Sequence, residues 1–276
     1  MRVFIVAGSP RAERPAGLTP RPGDRVIAAD SGAIHAAAWG WPVHLLVGDL
    51  DSAPPAIVAA LIAAGAPTVT APTAKDETDL ELALARALED LTGLRDLSDL
   101  EIILCAALGG RADHALANVL LLARPELAEV DVRIVEGGQT IQLLRGAITH
   151  ENRADRIRGF SRSSGRREKP AEASSPEERA VTHLALTGTR GDLLSLLPIG
   201  GDAVGVTTAG LAYPLRDETL YFGRARGVSN VFVGEAAEVW LREGMMLVVQ
   251  TQDEKRKTKD ERRTESVSNP NERGAT

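Results

Sequence analysis

The sequence predicts an α/β domain with a mostly parallel sheet, followed by an antiparallel β-sandwich, and two observations carry that prediction. Up to about residue 145, short apolar runs alternate with stretches of helical period, the pattern of strand–helix–strand units. From Val181 onward, closely spaced β-type runs are punctuated by turn glycines, the pattern of a sandwich. Between them, residues 151–180 are dominated by Arg, Glu, Ser and Pro, with Ile157 and Phe160 the sizeable hydrophobes. Such a segment cannot bury enough apolar surface to offset its ordering entropy. The expected division is therefore 1–150 (α/β), 151–180 (polar, mobile insertion), 181–250 (β-sandwich) and 251–276 (disordered tail).

In the first part, Val3–Ala7, Arg25–Ala29, Leu45–Val47, Thr68–Thr70, Glu101–Ala107 and Asp131–Val135 read as strands. Gly32–Trp39, Pro55–Ala64, Asp79–Leu91 and Ala112–Ala123 read as helices. The third helix places Leu80, Leu84, Leu88 and Leu91 on one face, a spacing that favours helix over strand. In the second part, Val181–Thr187, Leu193–Leu197, Val204–Thr208, Leu220–Phe222, Val231–Val233, Ala237–Leu241 and Met245–Gln250 read as strands.

Composition narrows the function classes. The 276 residues are 43% hydrophobic and 25% charged, ordinary for a globular protein. Aromatics are only 3%, so Leu, Val, Ile and Ala must build the core. A net charge of -6 argues against a nucleic-acid-binding surface, which shows a basic patch. A single cysteine, Cys105, inside the run Ile102 to Ala107, rules out an intrachain disulfide framework and reads as a small buried hydrophobe. Met1 to Val6 is too short an apolar run for a signal peptide, and no stretch approaches the ~20 apolar residues of a membrane span. A cytoplasmic protein is expected.

The chemistry sits where predicted strands end. Leu45-Leu46-Val47 runs into Gly48-Asp49-Leu50-Asp51-Ser52, two carboxylates one residue apart at a strand's carboxyl end, where α/β proteins bind ligands. Asp49 and Asp51 there suit a hard cation such as Mg²⁺, held by one or two carboxylates together with substrate phosphates. Asp30, in Ala29-Asp30-Ser31-Gly32, repeats the pattern after Val26-Ile27. Asp76 and Asp79 open a helix, where Asp is a favoured cap and Thr78 with Glu81 matches a capping box, so capping and a cleft role both remain open for them. Gly109-Gly110-Arg111 lies between strand and helix, where glycines let backbone approach an anion and Arg111 adds a fork of donors. His114, in the first turn after it, reads as a structural residue. Ser229 and Asn230 form a polar turn that could hydrogen-bond a neutral heterocycle. The P-loop and dinucleotide fingerprints are both missing. These residues together read as an acidic site for Mg-nucleotide.

Six ordered segments resemble the thiamine pyrophosphokinase family: Ala-Asp-Ser-Gly-Ala at 29–33, Gly-Asp-Leu-Asp-Ser at 48–52, Lys-Asp-Glu-Thr-Asp at 75–79, Gly-Gly-Arg-Ala-Asp-His at 109–114, Gly-Val-Thr-Thr-Ala-Gly-Leu-Ala-Tyr-Pro-Leu at 205–215 and Gly-Val-Ser-Asn at 227–230. The resemblance implies ATP- and Mg²⁺-dependent transfer of a pyrophosphoryl group to the hydroxyl of thiamine, giving thiamine diphosphate and AMP. It implies an α/β nucleotide-binding catalytic domain, a thiamine-binding β-sandwich, and a homodimer with the active site at the subunit interface. On this analogy Asp30, Asp49, Asp51, Asp76 and Asp79 form the Mg²⁺–phosphate cleft, with metal on Asp49 and Asp51 and a proton acceptor in Asp76 or Asp79. ATP-binding residues are then Asp30, Gly109, Gly110, Arg111 and Asp113, and thiamine faces Ser229 and Asn230. The chain departs from the family pattern at Ser31 (usually Gly), Ile34 (often Asn) and Val231 (commonly Glu). Two alternatives follow: a pyrophosphokinase for another heterocyclic alcohol, such as a hydroxymethylpterin, and a non-catalytic thiamine or nucleotide sensor.

Overall fold

Residues 1–70, 76–91, 100–147 and 181–253 are described by the computed structural model. The expected insertion at 151–180 and the tail beyond 253 lie outside these residues, as do Lys75 and the side chain of Leu91. Two compact units are present, one made of residues 1–143 with 249–253, the other of 144–248.

The first unit is an open α/β sheet. Its strands are β1 (Arg2–Val6), β2 (Arg25–Ala29), β3 (Leu45–Gly48), β4 (Thr68–Thr70), β5 (Glu101–Cys105), β6 (Asp131–Glu136) and β7 (Gln139–Arg145). The helices are α1 (Gly32–Ala38), α2 (Pro55–Ala63), α3 (Asp79–Leu91) and α4 (Ala112–Leu121). Strand order is β7-β6-β5-β1-β2-β3-β4. β1 pairs in parallel with both β2 and β5, while β6 and β7 form an antiparallel hairpin. Strands β1, β2 and β5 each share the burial of four consecutive residues, which explains their near-continuous apolar runs: a parallel sheet is covered on both faces. The chain builds outward from β1 through β4 and then returns to β5 on the other side of β1. Loops after β1 and β5 thus diverge, and this is the switch point where such sheets bind ligands.

The α3 helix starts on a complete capping box. Thr78 Oγ1 accepts from Glu81 N (3.2 Å) and the Glu81 carboxylate accepts from Thr78 N (2.8 Å). Its buried stripe is Leu80, Ala83, Leu84 and Ala87, and each leucine contributes about 1.5–3 kcal/mol on burial. Three aromatics cluster here: Phe4 meets Trp41, and Trp41 meets Trp39, edge to face at 5.2 and 4.9 Å, locking the end of α1 onto the sheet.

The second unit is all β. Strands β8 (Thr182–Thr187), β10 (Ala203–Ala209), β11 (Glu218–Leu220) and β13 (Ala236–Leu241) form one antiparallel layer in the order β11-β10-β13-β8. Against it lie β9 (Leu193–Pro198), β12 (Asn230–Val231) and β14 (Met245–Thr251), in the order β12-β9-β14. Leu194, Leu196, Val206, Val239, Met246 and Phe232 form their shared core, as a sandwich requires.

Most element boundaries agree with expectation to within a residue or two. Thr251, expected in the tail, is the last residue of β14. Strand β7 is an addition: Glu136 pairs with Gln139 across the two-residue turn Gly137-Gly138, with Gly137 at φ 53°. A Gly-Gly pair between β-type runs is a hairpin signal.

Candidate active site

Three strands of the parallel sheet leave it through left-handed backbone at non-glycine residues: Asp30 (φ 45°) after β2, Leu50 (φ 59°) after β3 and Ala106 (φ 53°) after β5. Aspartate tolerates this region; leucine and alanine rarely adopt it, and such conformations cluster at functional sites. The turns reverse the chain sharply enough to bring the strand-end side chains to one place.

A cleft of about 410 Å³ lies there. Its walls come from the loop after β1 (Gly8, Ser9, Pro10), from Asp30 and Ser31, from Ser52, from the start of α3 (Glu77, Thr78, Asp79) and from the loop after β5 with α4 (Ala107, Gly109, Arg111, His114, Asn118). Asp30, Asp49 and Asp51 each present a carboxylate oxygen within 4.8 Å of the others. Asp79 joins them by way of Gly48: with φ 132° and no side chain, this glycine lets the Asp79 carboxylate lie 2.9 Å from where a Cβ would stand, with Asp30 Cβ at 3.2 Å. Oδ1 of Asp30 is buried and has no hydrogen-bond partner among the described residues. A buried carboxylate oxygen left unpaired is costly unless a ligand completes it. Asp76 is exposed in the turn before α3 and does not line the cleft, where Glu77 stands instead; Asp49, Asp51 and Asp113 lie outside the wall too, Asp49 and Asp51 joined to it through Asp30 and Asp113 through Arg111.

Arg111 and Asp113 form a bidentate pair (Nε to Oδ1 3.1 Å, Nη2 to Oδ2 2.6 Å). Both are solvent-exposed, and Arg111 faces the cleft. The hydrogen bond from Arg111 holds the Asp113 carboxyl down at about 2, and Asp113 in turn raises the guanidinium above its usual value. Gly109 (φ 93°) and Gly110 (φ 70°) bring backbone to the same wall, and a Cβ on Gly110 would press into the Pro10 ring. Cys105 is fully buried and burial raises its thiol, so it acts as the packing residue expected.

In the second unit, Ser229 stands in left-handed backbone (φ 59°) and its N–H donates to Ser195 Oγ at 3.0 Å. Asn230 is buried and its side chain is committed to backbone. Its carbonyl accepts from Tyr213 N (3.0 Å) and Val231 N (2.9 Å), and its amide donates to Tyr213 O (2.7 Å). The residue therefore fixes the turn carrying the exposed Tyr213 ring.

Sequence reasoning passed over the Gly8-Ser9-Pro10 loop, His35, whose Nε2 lies 2.8 Å from Ser9 O, and Asn118, whose amide donates to Ala107 O at 2.8 Å. The available signal was a Gly-Ser-Pro break directly after the first strand, and His114 and Asn118 four residues apart on one helix face. Ser31, one departure from the usual pattern, has its side chain where a Gly8 Cβ would be; the missing side chain of Gly8 makes room for it.

The fold and cleft define an open α/β protein with an acidic crevice at its topological switch point. Residues 22–135 match the family described as "Thiamin pyrophosphokinase, catalytic domain", and residues 181–246 match "Thiamin pyrophosphokinase, vitamin B1 binding domain". The chain belongs to the thiamin pyrophosphokinase family. It is 23% identical over 179 residues to the thiamine pyrophosphokinase of Bacillus subtilis (strain 168), covering 65% of this chain and 64% of that protein. It is 23% identical over 195 residues to thiamine pyrophosphokinase 1 of Oryza sativa subsp. japonica, covering 71% of this chain and 61% of that protein. The matched stretches thus span less than two thirds of these curated relatives. In fold, the chain is similar to the crystal structure of the Bacillus subtilis thiamine pyrophosphokinase (TM-score 0.70, 21% identity, 92% of this chain and 100% of that one). It is also similar to thiamin pyrophosphokinase from Candida albicans (TM-score 0.63, 15% identity, 91% and 89%).

Proposed function

We propose that this chain transfers the pyrophosphoryl group of ATP to the hydroxyl of thiamine, yielding thiamine diphosphate and AMP. The observation that carries this reading is the convergence of Asp30, Asp49 and Asp51, with Asp30 and Asp79 lining the cleft beside them, in a chain matched by both domain families of thiamin pyrophosphokinase. A hard divalent cation suits that donor set, because three carboxylates converge and Asp30 Oδ1 is otherwise unpaired. Asp30, Asp49 and Asp51 would hold Mg²⁺, which when bound neutralises polyphosphate charge.

Every other part of the chemistry falls to the chain's own groups. Arg111 donates to phosphate oxygens, and the Gly109-Gly110 turn lets backbone approach them. The thiamine oxygen forms a bond to the β-phosphorus as the bond from that phosphorus to the α-bridging oxygen breaks, leaving AMP with the electron pair. The hydroxyl proton passes to a carboxylate. Asp79 is the better placed of the expected pair, since it borders both the cleft and the acidic cluster, whereas Asp76 does not line the wall. Positioning and charge neutralisation supply most of the rate in such transfers. Ser229 offers a hydroxyl to the thiamine ring system, with Asn230 holding the turn beside it. The same reading extends to a cytoplasmic homodimer whose active site lies at the subunit interface; no helix of the described residues is long and apolar enough to cross a membrane.

Purified protein incubated with ATP, thiamine and Mg²⁺ should release AMP and thiamine diphosphate in equal amounts, and a chelator should abolish both. Thiamine binding without either product would replace the enzyme with a sensor. Turnover of a hydroxymethylpterin in place of thiamine would reassign the substrate.

A further inference from the structure

Glu136 ends β6 on the same edge of the sheet as the cleft, yet it is 9% exposed and does not line the cleft wall. Its carboxylate joins two loops that are far apart in sequence. Oε1 accepts from Glu13 N at 2.6 Å, in the loop after β1. Oε2 accepts from Ala107 N at 3.1 Å and Leu108 N at 3.3 Å, in the loop after β5. These loops contribute Ser9 and Pro10, and Gly109 and Arg111, to the lining of the cleft.

The two loops are in direct contact as well. Ser9 N donates to Ala106 O (3.1 Å), Ser9 Oγ donates to Leu108 O, and Gly110 packs on the Pro10 ring closely enough that a Cβ would stand 2.7 Å from it. Ala106 is left-handed at this point, so its conformation must be held by neighbours. A carboxylate is well suited to bridging these loops, because it only accepts and both its oxygens are used by backbone N–H groups. Glutamine of the same shape would turn an NH₂ toward one of those N–H donors. Burial raises the Glu136 carboxyl while the three N–H bonds favour its charge, so the protein retains a costly acid for this bridge.

We propose that Glu136 is a positioning residue for nucleotide binding, whose single carboxylate sets the separation of the two cleft loops and thereby the place of the Gly109-Gly110-Arg111 turn. The inference rests on the nucleotide reading of the cleft but not on thiamine as the acceptor.

The test uses the full chain with Glu136→Gln and Glu136→Asp, measuring Mg-ATP affinity by calorimetry, KM for each substrate, kcat and thermal unfolding. Glu136→Gln should weaken Mg-ATP binding and raise KM for ATP about 10-fold, the lower end of the loss for groups that orient binding residues, with KM for thiamine within about 2-fold of the parent. Glu136→Asp keeps two acceptor oxygens on a stem shorter by one methylene and should recover part of that loss. Unchanged Mg-ATP affinity in folded Glu136→Gln overturns the proposal, as does an equal rise in KM for both substrates, the mark of general loosening. Should Glu136→Gln fail to fold, Glu136→Asp decides: weaker Mg-ATP binding with unchanged KM for thiamine supports the proposal, and parent-like ATP affinity overturns it. Parent protein that binds Mg-ATP yet forms no thiamine diphosphate defeats the thiamine reading and leaves this test intact; parent protein that binds no Mg-ATP defeats the nucleotide reading and the proposal with it.

Discussion

The acidic crevice of the α/β unit and the Ser229-Asn230 turn of the β unit use polar residues in opposite ways. In the crevice, Asp30, Asp49 and Asp51 converge although like charges repel, and one buried oxygen of Asp30 has no partner among the described residues. At the turn, both the carbonyl and the amide of Asn230 are satisfied by backbone groups. A protein carries an unsatisfied buried polar atom at a cost, so a binding partner is its expected complement; a satisfied one is scaffold. Motif membership alone does not separate the two, because both sit in segments that resemble the same family.

Three substitutions test that contrast. Asp49→Asn removes a carboxylate from the crevice and should lower kcat/KM by roughly 10²–10³-fold while shifting the Mg²⁺ requirement upward and leaving the melting temperature near the parent's. Kinetics at graded Mg²⁺ read this directly, and unchanged Mg²⁺ dependence would remove Asp49 from the metal site. Asn230→Ala should do the reverse, costing about 1–3 kcal/mol of stability by leaving Tyr213 and Val231 backbone groups unpaired. Thermal unfolding measures it; parent-like stability with a large rise in KM for thiamine would instead make Asn230 a substrate contact. Thr78→Ala is the smallest effect. It removes the cap beneath Asp79 and should cost about 1 kcal/mol, with the Mg²⁺ requirement unchanged, because Thr78 is a satisfied residue inside the crevice wall. A shifted Mg²⁺ requirement in that variant would show that the cap also sets the Asp79 carboxylate.

Much of this was readable from the chain. The alternation of apolar runs with stretches of helical period announced the parallel sheet, and Thr78 with Glu81 announced the start of α3 to the residue. Asp49 and Asp51 were legible because a strand-end carboxylate pair is a local pattern. Strand β7 was missed although Gly137-Gly138 marked its hairpin. The roles of Ser9, Asn118 and Glu136 were not legible, since each depends on a hydrogen bond to a residue distant in sequence: Glu136 to Glu13, Ser9 to Leu108, Asn118 to Ala107.

Periodicity, capping and turn chemistry act over a few residues, and they determined the elements, the family and the supply of carboxylates. Pairing across the sheet decided the rest. It put β5 beside β1, made their diverging loops into a cleft, and left Asp79 against Gly48 beside Asp30. It also bound Asn230 to the Tyr213 turn. Which polar atoms end up paired is set by neighbours that only the folded chain brings within hydrogen-bond distance, and that pairing separates the residues available to a ligand from those that hold the fold.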